Sequence, residues 1–212
     1  MFGILVFGDS IGHGRGENPS HGWVGRLKEY FEAKDFFYGI YNLSIPGETS
    51  FSLLKRLEQE AKPRMWTRKA DDKYVIIIAV GGNDCAGVLN ADNPQIKPDD
   101  FKKNMQLLIQ QAKKLTEFVV CVGIGPVDEK KSMPRMNHYF ANKTIIKYNE
   151  ILKSVCAQSA ENGGTVFVDI DDRVREQNYI DTIVDGVHPN SKGYDILYDV
   201  IKKELVEKKI IP

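Results

Sequence analysis

Cysteine is scarce in this chain. There are three in 212 residues, Cys85, Cys121 and Cys156, widely spaced and with no C-x-x-C pair. An odd, scattered set excludes a disulfide framework and a thiolate zinc site. It reads as reduced thiols of a cytosolic protein. No apolar run approaches 18 residues, so no segment has the length of a membrane-spanning helix. Neither sign of charge is in excess: Lys plus Arg is 29, Asp plus Glu is 29, and the formal net charge is zero. That excludes the basic surplus of a nucleic-acid binder and an acidic solvating tail. Internal repeats, low-complexity tracts and linkers are also missing. What is present is an ordinary folded composition, 42% hydrophobic and 27% charged, with length enough to bury a sizeable core. One domain over residues 1–212 is expected. The apolar opening, Met1 to Phe7, lacks a basic start and is a poor signal peptide. A cytoplasmic location is expected, and secretion only if a leader precedes this sequence. The oligomeric state is left open.

Strand-length apolar runs alternate with helix-period segments. Phe2–Phe7, Tyr38–Asn42, Tyr74–Ala79, Phe118–Ile124 and Thr165–Asp169 read as strands. Trp23–Phe36, Ser50–Ala61, Pro98–Leu115, Asn142–Ala160 and Ser191 to about Val206 read as helices. The fourth helix is expected to stop near Gly163-Gly164, and Ser191 is the expected cap of the last. Continuous apolar strands joined by helical crossovers predict an α/β protein: a five-stranded parallel sheet with helices on both faces, a three-layer α/β/α sandwich. Two long connections, about Val80 to Lys97 and Gly125 to Ala141, are candidate functional loops. In such sheets ligands bind beyond the carboxyl ends of the strands.

The residues after each strand therefore matter most. After the first comes Gly8-Asp9-Ser10-Ile11-Gly12-His13-Gly14-Arg15-Gly16. The dinucleotide fingerprint fails there, because its third glycine falls on Glu17, and no phosphate-binding G-x-x-x-x-G-K-[ST] occurs. Ser10 is then either a helix cap or a nucleophile held on a sharp turn by Gly8 and Gly12. After the second strand, Pro46-Gly47 marks a turn and leaves a glycine N–H approachable. After the third, Gly81-Gly82-Asn83-Asp84 is either a turn in which Asn83 or Asp84 bonds its own backbone, or an amide donor aimed into the crevice. Before the last helix, Asp185 stands three residues ahead of His188, close enough to fix its tautomer and leave a base free. A nucleophile, a side-chain donor, a backbone donor and an oriented base on one sheet edge are the parts of an acyl-transfer site.

These four blocks resemble those of the SGNH hydrolases, also called GDSL esterases and lipases. Phe7-Gly8-Asp9-Ser10 matches the first block, Gly47 the second, Gly81-Gly82-Asn83-Asp84 the third and Asp185-Gly186-Val187-His188 the last. They run in order from residue 7 to 189. Ile11 stands where leucine is common, a volume-conserving change. The resemblance implies a flavodoxin-like SGNH fold and a serine esterase cleaving carboxylic or thio esters of small or medium acyl groups through an acyl-enzyme. It implies Ser10 as nucleophile, His188 as base and Asp185 as its orienter. The oxyanion hole would be Ser10 N–H, Gly47 N–H and the Asn83 amide. Asp9, Gly82 and Val187 are candidate substrate contacts. No metal and no organic cofactor is implied, and the expected partner is a small-molecule ester. Deacetylation of a sugar is the rival reaction, and a binding module that has lost turnover is the rival without chemistry.

Other features carry less. Asp169-Ile170-Asp171-Asp172 reads as a solvated loop. His13 and His21 are expected at the rim. His138, with Met133, Met136, Tyr139 and Phe140, either lines an acyl pocket or packs its loop down. Cys85 is expected to be inert, and Glu207-Lys208-Lys209-Ile210 to be a solvated helix end.

Overall fold

The structure, a computed structural model, describes residues 1–65, 71–160 and 164–212. In chain order the strands are β1 (Phe2–Gly8), β2 (Tyr38–Asn42), β3 (Lys73–Ala79), β4 (Gly87–Val88), β5 (Phe118–Val122), β6 (His138–Tyr139) and β7 (Thr165–Val168). The helices are α1 (Ser10–His13), α2 (Gly22–Glu32), α3 (Ser50–Leu53), α4 (Leu57–Ala61), α5 (Gly82–Cys85), α6 (Pro98–Lys113), α7 (Glu129–Ser132), α8 (Asn142–Ala160), α9 (Asp171–Arg175) and α10 (Ser191–Glu207). Two 3₁₀ turns, Lys62–Arg64 and Tyr179–Thr182, complete the described elements.

Five strands form one parallel sheet in the order β2-β1-β3-β5-β7. Alternation within each strand splits its residues between two cores. Ile4 and Val6, with Val75 and Ile77, face α2 and α10 and meet Trp23, Leu27, Tyr194 and Leu197. Leu5 and Phe7, with Ile76 and Ile78, face α6 and α8 and meet Phe101, Leu108, Tyr148 and Leu152. Each such buried side chain contributes about 1.5–3 kcal/mol by leaving water. The chain departs from β1 to β2 on one side and to β3 on the other. The switch point therefore opens a crevice at the carboxyl ends of β1 and β3, where the register sets Gly8 beside Ala79.

Several boundaries differ from the sequence reading. The helix predicted to reach Phe36 ends at Glu32, because Asp35 starts a turn: its carboxylate accepts from Phe37 N (2.8 Å) and its carbonyl from Tyr38 N (3.1 Å). Phe36 and Phe37 are left exposed. The helix predicted over Ser50–Ala61 breaks in two, since the bonds Lys55 N to Ser52 O and Arg56 N to Leu53 O tighten its middle into i→i+3 turns. Asn190, not Ser191, caps α10 by accepting from Gly193 N (3.2 Å). Ser191 Oγ instead accepts from Arg26. The predicted stop at Gly163 lies outside the described residues, while Gly164 adopts φ +77°. The tail is not wholly solvated: Ile210 and Ile211 are buried against the α2/α10 core. The sequence reading missed the antiparallel pair β4–β6, which ties the two long loops together. Two-residue strands carry no periodicity to detect.

Candidate active site

β1 ends in the crevice and turns at once into α1, so Ser10 becomes the first residue of a helix. Asp9 caps that helix, its carboxylate accepting from Ile11 N at 2.9 Å. The turn is sharp because two glycines let it lie against the next loop: a Cβ on Gly12 would stand 2.4 Å from Ser44 Oγ, and one on Gly8 2.7 Å. Asn42 Nδ2 donates to Gly12 O (3.0 Å) and Tyr194 Oη to Arg15 O (2.6 Å), pinning the turn to β2 and α10.

The loop ahead of α10 closes on itself through Val184 N to His188 O (2.9 Å). Inside it, Asp185 Oδ1 accepts the backbone N–H groups of Val187 (3.1 Å) and His188 (2.9 Å), and Oδ2 meets His188 Nδ1 at 2.8 Å. A carboxylate only accepts, so Nδ1 carries the proton and Nε2 is the free acceptor. Nε2 lies 2.8 Å from Ser10 Oγ, across 178 residues of chain. Burial alone raises the Asp185 carboxyl; the bonds from His188 and Val187 outweigh it and hold it at about 2. The aspartate therefore stays ionised and stabilises an imidazolium beside it.

On the other side of Ser10, Gly81 and Gly82 lead into α5. Asn83 Nδ2 donates one hydrogen to Glu48 O at 3.0 Å, which joins α5 to the turn containing Gly47. Gly47 adopts φ +85° and faces open space, with nothing within 4 Å of where a Cβ would stand. Asp84 does more than serve its own turn. It reaches 34 residues back, where Ser50 N lies 3.0 Å from both carboxylate oxygens and Ser50 Oγ also donates to it. Asn104 Nδ2 donates to Ser50 Oγ in turn (3.0 Å). Burial pushes Asp9 up to about 7 and Asp84 up to about 6, and each raises the other or is raised by a neighbouring carboxylate, Glu48 in the case of Asp84. Hydrogen bonds from Ile11 and Ser50 offset only part of this.

A cavity of about 70 Å³ lies behind Ser10, walled by Gly82, Asn83, Ile124, Val187 and Phe140 among others. Asp9 is also on its wall; Gly47 is not. The structure thus brings together Ser10, Asp185 and His188 and places Asp9, Gly82, Asn83 and Val187 around one cavity; Gly47 does not line it, and its turn is tied to Asn83 through Glu48 O. Of the loop cluster, Phe140 reaches the cavity, while Met136 is exposed and His138 Nδ1 bonds Met136 O. His21 stands 3.3 Å from Glu29. Cys85 is buried, its thiol pushed up by burial and donating to Gly82 O. Asp171 and Asp172 open α9 rather than a loop. Arg135 escaped the sequence reading: its Nη2 donates to Asp185 Oδ2 at 2.7 Å. No spacing relates two residues 50 apart, so only the fold reveals that pair. Among the described residues no cluster of His, Cys, Asp and Glu suits a metal ion. None of their helices is long and apolar enough to cross a membrane.

The fold and site define a class: a parallel α/β/α protein with serine, histidine and aspartate bonded in series at the carboxyl edge of its sheet. The family follows from comparison. The model of the GDSL-like Lipase/Acylhydrolase family matches residues 6–196, and the chain belongs to that family. It is 31% identical over 124 residues to Esterase TesA of Pseudomonas aeruginosa, a match covering 57% of this chain and 53% of that protein, about half of each. Among solved structures it is similar to Axe2, an acetylxylan esterase from Geobacillus stearothermophilus (19% identity, TM-score 0.72, covering 96% of this chain and 93% of that one). It is also similar to a member of the lipolytic G-D-S-L family from Veillonella parvula (18% identity, TM-score 0.66, 96% and 97% covered).

Proposed function

We propose that the protein is a cytoplasmic, single-domain serine esterase that hydrolyses small esters of short acyl groups. The observation that carries this reading is the unbroken series Ser10 Oγ, His188 Nε2, His188 Nδ1, Asp185 Oδ2, each contact 2.8 Å. A neutral serine hydroxyl is a weak nucleophile until an adjacent base takes its proton. Here His188 takes the Ser10 proton as Oγ attacks the ester carbonyl, and Asp185 stabilises the imidazolium. The imidazolium then protonates the departing alkoxide, leaving an acyl-serine. Water, deprotonated by the same imidazole, attacks that acyl group and restores Ser10. In both tetrahedral intermediates the charged oxygen is held by Ser10 N–H, Gly47 N–H and the second amide hydrogen of Asn83. Asp9, Gly82 and Val187 shape the wall against which the acyl group rests.

Cavity size supports the short acyl group. An apolar cavity of about 150 Å³ accommodates a benzene; that behind Ser10 is about 70 Å³. It suits an acetyl or propionyl group. An acetylated sugar would present the same acetyl group and differ only in the alcohol, which lies outside the cavity. A series of p-nitrophenyl esters from acetyl to palmitoyl, run beside acetylated sugars, tests the reading. The expected result is a kcat/KM that is highest at acetyl or propionyl and falls steeply by octanoyl. A maximum at long chains overturns the short-acyl assignment, and a preference for acetylated sugars replaces the simple ester with a carbohydrate substrate.

A further inference from the structure

We infer that Arg135 is a positioning residue of the active site: its guanidinium holds the Asp185 carboxylate in place against the His188 ring. The inference rests on the reading of Ser10, His188 and Asp185 as a catalytic triad. Oδ2 of Asp185 serves two donors, His188 Nδ1 at 2.8 Å and Arg135 Nη2 at 2.7 Å, while Oδ1 is occupied by backbone N–H groups. The carboxylate is thus saturated, and Arg135 is its sole side-chain partner besides the imidazole among the contacts described.

The backbone delivers Arg135 there on purpose-built geometry. Arg135 and His138 exchange both backbone hydrogen bonds, at 2.7 and 2.9 Å. Between them Met136 and Asn137 take φ +48° and +65°, the positive values of a two-residue hairpin turn. β6 then pairs with β4, which follows the Asn83 segment directly. The same loop is stitched to the Asp185 loop by Asp128 N to Gly186 O (3.0 Å) and Lys131 Nζ to Ile183 O (3.0 Å). A strut therefore runs from Asn83 through β4 and β6 to Arg135 and Asp185, joining the donor side of the site to its base side.

Most other charged groups around this corner have partners of their own, while Asp9 loses its proton near pH 7 on the Ser10 side. On the Ser10 side Asp9 caps α1, and Glu17 is bonded to Arg26. On α7 Lys131 pairs with Asp128. Tyr179, from the 3₁₀ turn, and Tyr194, from α10, are raised by burial and stay protonated. Among the described contacts, Arg135 is the cationic side chain that pairs with the Asp185 carboxylate besides the imidazole. A cation beside the carboxylate disfavours a second positive charge on the ring. Removing it favours the imidazolium, so the inactive protonated form persists to higher pH.

The test compares R135M and R135K with wild type on a p-nitrophenyl ester of a short acid, with melting curves as a folding control. In R135M, kcat falls about tenfold, the scale of losing one hydrogen bond to a charged group, while KM stays within about twofold. The acidic limb of its kcat/KM profile moves up by about half a pH unit, a small shift because the pair is about one-third exposed and water screens it. R135K keeps the charge and leaves the limb in place. In a D185N background R135M costs nothing further, because the partner is gone. An unmoved limb in R135M, or an equal and additive loss in D185N, overturns the positioning role. If R135M does not fold, a limb displaced in R135K overturns it instead. S10A in the same assay keeps the two readings apart: residual full activity there defeats the triad itself, whatever Arg135 does.

Discussion

The two sides of Ser10 are built differently. The base side is a chain of side-chain hydrogen bonds, closed and short, in which the Asp185 loop supplies both acid and imidazole within four residues. The proposed donor side is assembled from three segments, around Ser10, Gly47 and Asn83, held by buried polar groups beneath them. Asp84 grips the N-terminus of α3 through Ser50, and Glu48 pairs with Arg56. The difference teaches how each side fails. A base made by one bonded series is lost when any link changes proton or tautomer. A donor set spread over separate backbones loses one donor at a time.

That contrast orders the expected effects. D185N leaves the geometry but strips the acceptor that fixes the His188 tautomer, so kcat should fall about 10⁴-fold; steady-state turnover of the best short ester checks it. A loss under tenfold would erase the distinction between the two sides. N83A removes one of the three proposed oxyanion donors and should cost about 10²–10³ in kcat. If it costs as much as D185N, the donor side is as indivisible as the base side.

The smallest effect concerns stability. Asp9 is raised by burial from 3.8 to about 7, so the folded protein keeps a proton that the unfolded chain releases. Its folded form is fully favoured below about pH 4 and loses that advantage as pH rises through about 7, a cost of a few kcal/mol at pH 8. D9N keeps an acceptor for Ile11 N–H and carries no charge. It should melt several degrees above wild type at pH 8, with the gap closing near pH 4. An equal gap at both pH values would show that burial of the charge is not the cause.

Much of this was legible in the sequence. The runs Phe2–Phe7 and Tyr74–Ala79 read as buried strands, the second apolar on both faces. Ser10, Asn83 and His188 then fell at the sheet's carboxyl edge by topology alone. What stayed hidden depended on pairs with no sequence relation. The grip of Asp84 on Ser50 was invisible because the two lie 34 residues apart on different elements. Arg135 looked like loop, because its partner is 50 residues away and two-residue strands place it there. Asp35 ended α2 early because a side-chain bond within a turn beat a helix whose apolar pattern continued through Phe36.

The central claim is that Ser10 carries the acyl group. Mixing the protein with p-nitrophenyl acetate, quenching in acid within the first turnovers and mapping the adduct by mass spectrometry tests it directly. The account predicts one acetyl group, on the peptide containing Ser10, absent from S10A, which should be folded and inactive. An acetyl group on another residue, or S10A that turns over the ester at a near-normal rate, would contradict it.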